Sequence, residues 1–527
     1  MQNKKKWIWI ILFLIIAVGF FVRFYNIDNL PPGIYPDEAA NGEDAVRANE
    51  TGNYQWLYPA NTGREGLFIN LVAFSFKFFG PDIWTLKLPA VLFGTLTILG
   101  VYLLVRELFF LSFSASKRER IALIAAFLYA FSFWAINFSR ISFRANMLPC
   151  ILVFSFYFLF RGLRTKKWID FSIGGFIFGL GMHSYIAWRI APLLLILMVF
   201  FFILSRKNFL MIYWKHIITF ILFSAIAASP MFWTFYQHPE YLEARDSVSI
   251  FSPQINQGEP VKTFLKSLFL SLQKYNFIGD MNWRHNFPPY PLLDQLTGLL
   301  FILGLIISFR RFIKKICIYA KQKTNDLDLE RYSFLILWFF LMLAPEFMTG
   351  EGNPHALRSI GTLPVVIIFS AIGFEYLFEK ARRKFPDNRN IFRISMAILL
   401  CIAVFNTLKY HIFWANKEKV GYSFNKNVTD MYRFIETLPK EQDKYVITTH
   451  NTLIKLPIFI FTSKDDSIHY FYPNELDKIN TPDPENSIFL FMEKNEEAMN
   501  YIQKKYPQLV LEEKNYPLGS KFYIIKK

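Results

Sequence analysis

Long apolar runs alternate with short polar segments from the N-terminus to residue 408, and this alternation is the strongest signal in the chain. The first run, WIWIILFLIIAVGFFV, follows MQNKKK and lacks a small-residue cleavage site. A span needs ~20 apolar residues, so this run reads as an uncleaved first helix at roughly 7–24 and not as a signal peptide. Further runs predict spans near 83–105, 121–136, 146–160, 168–182, 187–205, 214–236, 291–309, 332–348, 356–378 and 391–408, eleven with the first. The apolar stretch at 66–79 contains Lys77 and falls below the ~17 residues a span requires, so it is expected to lie in the interface.

Between these runs lie a polar loop at 25–65 and a long amphipathic loop at 237–290, with a surface helix expected at 261–275 and an ordered turn at NWRHNFPPYP. After residue 408 the pattern changes. NVTDMYRFIETL and NEEAMNYIQKKY have helical periodicity, while KYVITT, SIFLFME, LVLEEK and KFYIIKK read as short strands. The expected organisation is an α-helical polytopic membrane domain at 1–408 and a small α/β domain at 409–527 on the outer face.

Composition agrees: the chain is 53% hydrophobic and carries 60 Phe in 527 residues. The net charge of +17 does not point to nucleic acid, because the basic residues sit in short clusters between apolar runs. Segments assigned to the cytoplasm hold 27 Lys and Arg in 74 residues, against 11 in 125 for the outer segments. That bias places the N-terminus in the cytoplasm. Cys150, Cys317 and Cys401 show no metal-ligand spacing, so neither a disulfide nor a structural zinc site is expected from them.

The loop LPPGIYPDEAANGE carries the acidic pair Asp37 and Glu38 directly after the first span. Carboxylates favour the positive end of a helix, and EAANGEDAVRANE reads as one. A carboxylate half out of water at the bilayer surface can also act as general base on an acceptor hydroxyl, and Asp37 is the candidate. Arg64, Arg140, Arg144, Arg189 and Arg358, with His183 and His355, stand at outer span ends. Such residues snorkel to lipid phosphates, but arginine forks also bind a substrate phosphate bidentately. Glu65 beside Arg64 is either a helix-start carboxylate or a substrate or metal contact. Asn427-Val428-Thr429 is a glycosylation sequon, and Gly179 and Gly181 sit where glycines permit close helix packing.

Several stretches together resemble a family: PPGIYPDEAANGEDAVRANETG, GREGLFI, LKLPAVLFGTLTILGVYLLVREL, AFSFWAINFSRISFRANMLP and HALRSIGTLPV. They are similar to the family 39 membrane glycosyltransferases of GT-C fold, which include protein O-mannosyltransferases and lipid A aminoarabinose transferases. The resemblance covers roughly residues 7–380, with Lys87-Leu88-Pro89 and Ser139-Arg140-Ile141 as recognisable elements. It implies a polyprenyl-phosphate sugar donor and inverting transfer to a glycan, lipid or protein acceptor at the extracytoplasmic face of a bacterial plasma membrane. Asp37 then matches the catalytic base and Glu38 its acidic neighbour. Arg140, Arg144 and Arg358 fall where the family keeps basic residues near the donor phosphate, and Arg189 and His355 are further donor-phosphate candidates from their outer span-end positions. No cofactor is required, although a divalent metal is compatible with the site. Gly63-Arg64-Glu65-Gly66 departs from the Lys-Pro-Pro element of several branches. Two alternatives stand beside this reading: a lipid-linked glycan flippase or transporter, and a catalytically inactive scaffold. Transport is disfavoured because Asp170, Asp294 and Glu375 lie toward span ends and not at mid-membrane.

Overall fold

The computed structural model describes all residues except 1, 61–62, 244–248, 351, 387 and 450–465. Its principal helices, in chain order, are α1 (Gln2–Phe24), α2 (Pro36–Thr51), α3 (Gly66–Phe79), α4 (Ile83–Leu108), α5 (Ala115–Phe131), α6 (Phe133–Ser139), α7 (Met147–Thr165), α8 (Trp168–Leu180), α9 (Ala191–Ser205) and α10 (Phe209–Gln237). They continue with α11 (Pro260–Gln273), α12 (Gln295–Gln322), α13 (Leu327–Phe347), α14 (Leu363–Lys384), α15 (Asn390–Leu408), α16 (Lys426–Glu436) and α17 (Glu496–Lys505). Two compact units are present: residues 1–25, 55–68 and 90–410 form one, and residues 26–54, 69–89 and 411–527 the other.

Along their length helices satisfy the backbone groups internally, which is why apolar runs of span length adopt them in lipid. Among the described residues eight helices are long and apolar enough to cross a membrane, and nine if α5 and α6, bent by 58°, count as one span. Eight of the eleven predicted runs are these helices, and the run at 121–136 is the bent pair. The other two, α8 and α13, are helices where predicted but are not by themselves sufficient. Thirteen residues make α8 about 20 Å long, short of the ~30 Å hydrocarbon core. α13 opens with Asp328, Glu330 and Arg331, which shortens its apolar part. α3 is a 14-residue apolar helix, the length of the predicted interfacial segment.

In the larger unit α8 packs closely on α10. A Cβ on Gly175 would come within 2.2 Å of Phe220 O, and one on Gly179 within 2.2 Å of Ser224 O, so only glycine permits this approach. The buried carboxylates are engaged: Glu375 pairs with Arg120, Asp170 lies 3.5 Å from Arg161, and Asp294 caps α12 by accepting the Thr297 N–H at 3.0 Å. None is placed as an unpartnered mid-membrane proton relay of the kind a transporter uses. α11 occupies the predicted surface-helix position, with its apolar stripe of Val261, Leu265 and Phe269 exposed and Ser267 and Ser271 turned inward.

The other unit holds a five-stranded mixed sheet built from β3 (Asp443–Ile447), β4 (Ile468–Phe471), β5 (Ser487–Phe491), β6 (Val510–Asn515) and β7 (Lys521–Lys526), in the order β4-β3-β5-β7-β6. A small two-stranded ribbon, β1 (Leu57–Tyr58) with β2 (Arg64–Glu65), belongs to the larger unit. Alternation along the strands sorts the core. Phe489, Phe491 and Ile525 face α17 residues Met499 and Ile502, while Ile488, Leu490 and Ile524 face α16 residues Met431 and Ile435. The predicted strands are all present, and β4 is an additional one. Thr429 of the sequon is buried in the first turn of α16, so the hydroxyl that a modifying enzyme must reach is inside the fold.

Candidate active site

In the smaller unit the acidic pair begins α2. Pro36 occupies the first turn, where its missing N–H costs nothing, and Gly52 ends the helix at φ 70°. The two carboxylates, equivalent in the sequence, are buried to different extents. Glu38 is fully buried and its Oε2 accepts the Tyr35 N–H at 3.4 Å, so it caps the helix. Asp37 is half-buried at the helix start. Both carboxylates stand in the first turn of α2, so the helix-start reading holds for the pair, with Asp37 the less buried of the two.

The loop before α2 is held by residues more than 380 positions away. Gly33, at φ 115°, has no room for a Cβ because Phe424 O would lie 2.5 Å from it. Tyr35 is fully buried with its ring edge-on to Phe424 at 6.0 Å. Arg433 donates to Asp28 O at 2.9 Å and to Asn29 Oδ1 at 3.1 Å. Lys87, from the Lys-Leu-Pro element, is buried and donates to Ile27 O at 3.4 Å. Burial, aided by Asp82, pushes the Asp28 carboxyl upward against Lys87, the Trp84 N–H and Arg433. In the sequence Lys87 is recognisable only as part of the Lys-Leu-Pro element, and Asp28, an aspartate after a span, carries no motif of its own, so neither is a candidate site residue there.

In the larger unit Arg64 is buried and its Nε donates to Ala60 O at 3.3 Å. Glu65 forms a buried ion pair with Arg144. Gly66 explains the departure from a Lys-Pro-Pro element: its N–H donates to Trp56 O at 2.7 Å, and a Cβ would lie 2.0 Å from Gln55 O. Proline supplies neither the hydrogen nor the space.

Arg140 is fully buried, and its terminal nitrogens donate to Val22 O at 2.9 Å, Arg23 O at 2.7 Å and Tyr25 O at 2.7 Å. These bonds satisfy carbonyls at the C-terminal end of α1, which need donors when buried. Arg189 is half-buried over the Phe235 ring at 5.1 Å, and His183 contacts Ala227 O at 2.9 Å.

The remaining candidates gather around a residue the sequence did not single out. His285 lies beside Phe138 and Phe143 at 5.5 and 6.3 Å and beside His355 at 4.8 Å, so the SRISFR turn and the HALR loop both meet the 237–290 loop there. Asp280 Oδ2 is 3.0 Å from His285 Nδ1 and accepts the Ala356 N–H at 2.7 Å. Burial pushes the Asp280 carboxyl upward, but the hydrogen bond and charge of His285, the charge of His355 and the Ala356 N–H outweigh it and hold it below the usual carboxylate range. Burial, with His285, Arg358 and Lys274, presses the His355 imidazole well below its ordinary range, while Asp280 opposes. The Arg358 N–H faces His355 Nδ1 at 3.4 Å. An apolar cavity of about 350 Å³ lies among α7, α8, α9 and α10, lined by Leu159, Phe178, Trp188, Val199 and Phe220 among others.

Residues 67–233 match the family model of dolichyl-phosphate-mannose-protein mannosyltransferases. The structure is similar to that of ArnT from Cupriavidus metallidurans in the apo state, with a TM-score of 0.54, 12% identity, and coverage of 99% of this chain and 98% of that one. The same protein bound to undecaprenyl phosphate gives a TM-score of 0.52 at 12% identity, covering 97% of each chain. The chain has the GT-C fold. A second GT-C likeness is the apo oligosaccharyltransferase of Archaeoglobus fulgidus, at a TM-score of 0.51 and 16% identity over 97% of this chain and 70% of that one. No curated protein matches the chain by sequence. GT-C is a fold of multi-pass membrane glycosyltransferases, in agreement with the helices described above.

Proposed function

We propose that this protein is a membrane glycosyltransferase that moves a sugar from a polyprenyl-phosphate donor to an acceptor hydroxyl at the extracytoplasmic face, with inversion. The observation that carries the reading is the split in the acidic pair: Glu38 is spent on the helix cap, while Asp37 stays half-buried at a polar helix start in a GT-C chain. Asp37 removes the acceptor hydroxyl proton as that oxygen bonds to the anomeric carbon, and the bond from that carbon to the phosphate oxygen breaks. The electron pair leaves on polyprenyl phosphate, whose charge is met by arginine, with Arg144 and Arg358 as the candidates. This step needs no cofactor. Support for the donor class comes from the mannosyltransferase family match and from the likeness to a protein that binds undecaprenyl phosphate. The apolar cavity among α7 to α10 offers a lipid tail a route within the membrane helices.

The experiment is donor consumption. Purified protein in lipid is incubated with a panel of polyprenyl-phosphate sugars and crude membranes as acceptor, and released polyprenyl phosphate is measured for wild type and Asp37→Asn. Release from one donor, lost in the variant with insertion intact, is expected. Undiminished release from Asp37→Asn removes Asp37 from the mechanism, and no release from any donor overturns the reaction class.

A further inference from the structure

We propose that the C-terminal sheet carries a ligand site of its own, a crevice at the carboxyl ends of β3 and β5 that binds an anionic saccharide, one bearing a phosphate or a carboxylate. The cavity there holds about 310 Å³, within the ~300–1,000 Å³ usual for small-molecule pockets. Its described lining comes from the segments 421–427, 492–494 and 518–523, all inside the smaller unit.

Topology places the crevice. β3 pairs in parallel with β4 on one side and with β5 on the other, so the strand order reverses at the β3–β5 boundary. In open sheets with parallel strands, ligands bind outside the carboxyl ends at such a boundary. β5 runs on into Glu493 and Lys494 on the crevice wall. Thr449, two residues beyond β3, donates its hydroxyl to Glu493 Oε2 at 2.7 Å and ties the two strand ends together. Another wall is the start of α16, where Asn425 supplies no side-chain cap and the positive end of the helix favours an anion.

The side chains set the ligand class. Among the described lining residues Lys426, Lys494 and Lys521 stand against one acid, Glu493. Lys426 is held in place: its ammonium lies 2.5 Å from Asp430 Oδ2, which also accepts the Ser520 hydroxyl at 2.6 Å. Lys494 and Lys521 pair with Glu496 and Glu513 at 2.5 and 3.8 Å on the exposed surface, and exposed pairs of this kind are weak enough to exchange for a ligand anion. The Tyr422 ring is 67% exposed and offers an apolar face to sugar C–H groups, while the Asn427 amide offers donors and an acceptor to sugar hydroxyls. An aromatic wall beside amide and ammonium groups suits a charged sugar better than a bare anion. The crevice wall also adjoins the loop that leads into α2, because a Cβ on Gly33 would lie 3.2 Å from Lys426 N.

The test is binding without turnover, so it is independent of the transferase reading. Full-length protein in phosphatidylcholine nanodiscs is titrated by calorimetry with trehalose phosphate, the glucuronate-containing disaccharide of hyaluronan, neutral trehalose and inorganic phosphate. At least one charged disaccharide is expected to bind about tenfold or more tightly than trehalose and inorganic phosphate, and the two charged arms show which anion is preferred. Lys494→Gln/Lys521→Gln, at exposed positions, weakens that binding at least about tenfold, and Tyr422→Ala weakens it severalfold. Lys262→Gln/Lys266→Gln removes two exposed lysines from α11 and leaves it unchanged. Thermal unfolding establishes that each variant is folded. No preference for either charged disaccharide overturns the proposal, as does unchanged binding in a folded crevice variant or an equal loss in the α11 variant.

Discussion

Replacing Glu346 by glutamine isolates a buried charge. Lys274 follows α11, Glu346 lies in the last turn of α13, and both side chains are fully excluded from solvent. Glu346 also accepts the His355 N–H at 3.0 Å, and the Lys274 ammonium donates to Ser271 O at 3.1 Å. Removing one partner of such a pair leaves an uncompensated buried charge, which costs about 3–5 kcal/mol, or two to four powers of ten in the folding equilibrium. Lys274→Met/Glu346→Gln removes both charges and keeps an acceptor for His355, so it is expected to recover most of the loss. Burial lowers the Lys274 pKa while Glu346 raises it, and the net folded value is below that of the unfolded chain. Between the folded value and the unfolded ~10.4 the unfolded state binds more protons, so stability rises with pH there. The cost of Glu346→Gln should therefore shrink as pH rises from 7 toward 10. Equilibrium unfolding in mixed detergent micelles at several pH values measures this. A single variant within about 1 kcal/mol of wild type, or a double variant no better than the single, refutes the reasoning.

Two further outcomes follow from the site. Arg140→Ala strips donors from three buried carbonyls at the end of α1 and should cost roughly 2–4 kcal/mol in the same unfolding assay, with donor affinity per folded molecule unchanged. Full stability with weakened donor binding would return Arg140 to the phosphate. Arg433→Ala removes two hydrogen bonds from the loop before α2 and should lower turnover at saturating donor severalfold, with membrane insertion unchanged; unaltered turnover means the loop holds without it.

The membrane helices, their order and the alternating strands of the C-terminal sheet were legible because each is a local consequence of residue pattern. An apolar run in lipid has no alternative that satisfies its backbone, and a period of two sorts a strand whatever it pairs with. Strand β4 was missed because four residues carry little periodicity, and its pairing with Lys444–Ile447 is a long-range event. What each candidate side chain does was decided only by tertiary structure. Asp37 and Glu38 are adjacent acids until burial makes one a cap. Arg140 is a typical span-end arginine until the end of α1 arrives beside it. Asp280 and His285 are five positions apart, and only the loop that brings His355 to them, 70 residues later, makes a cluster. Sequence encodes the types of group available; which of them face one another depends on loop contacts between distant segments, and burial then sets the cost or use of each charge.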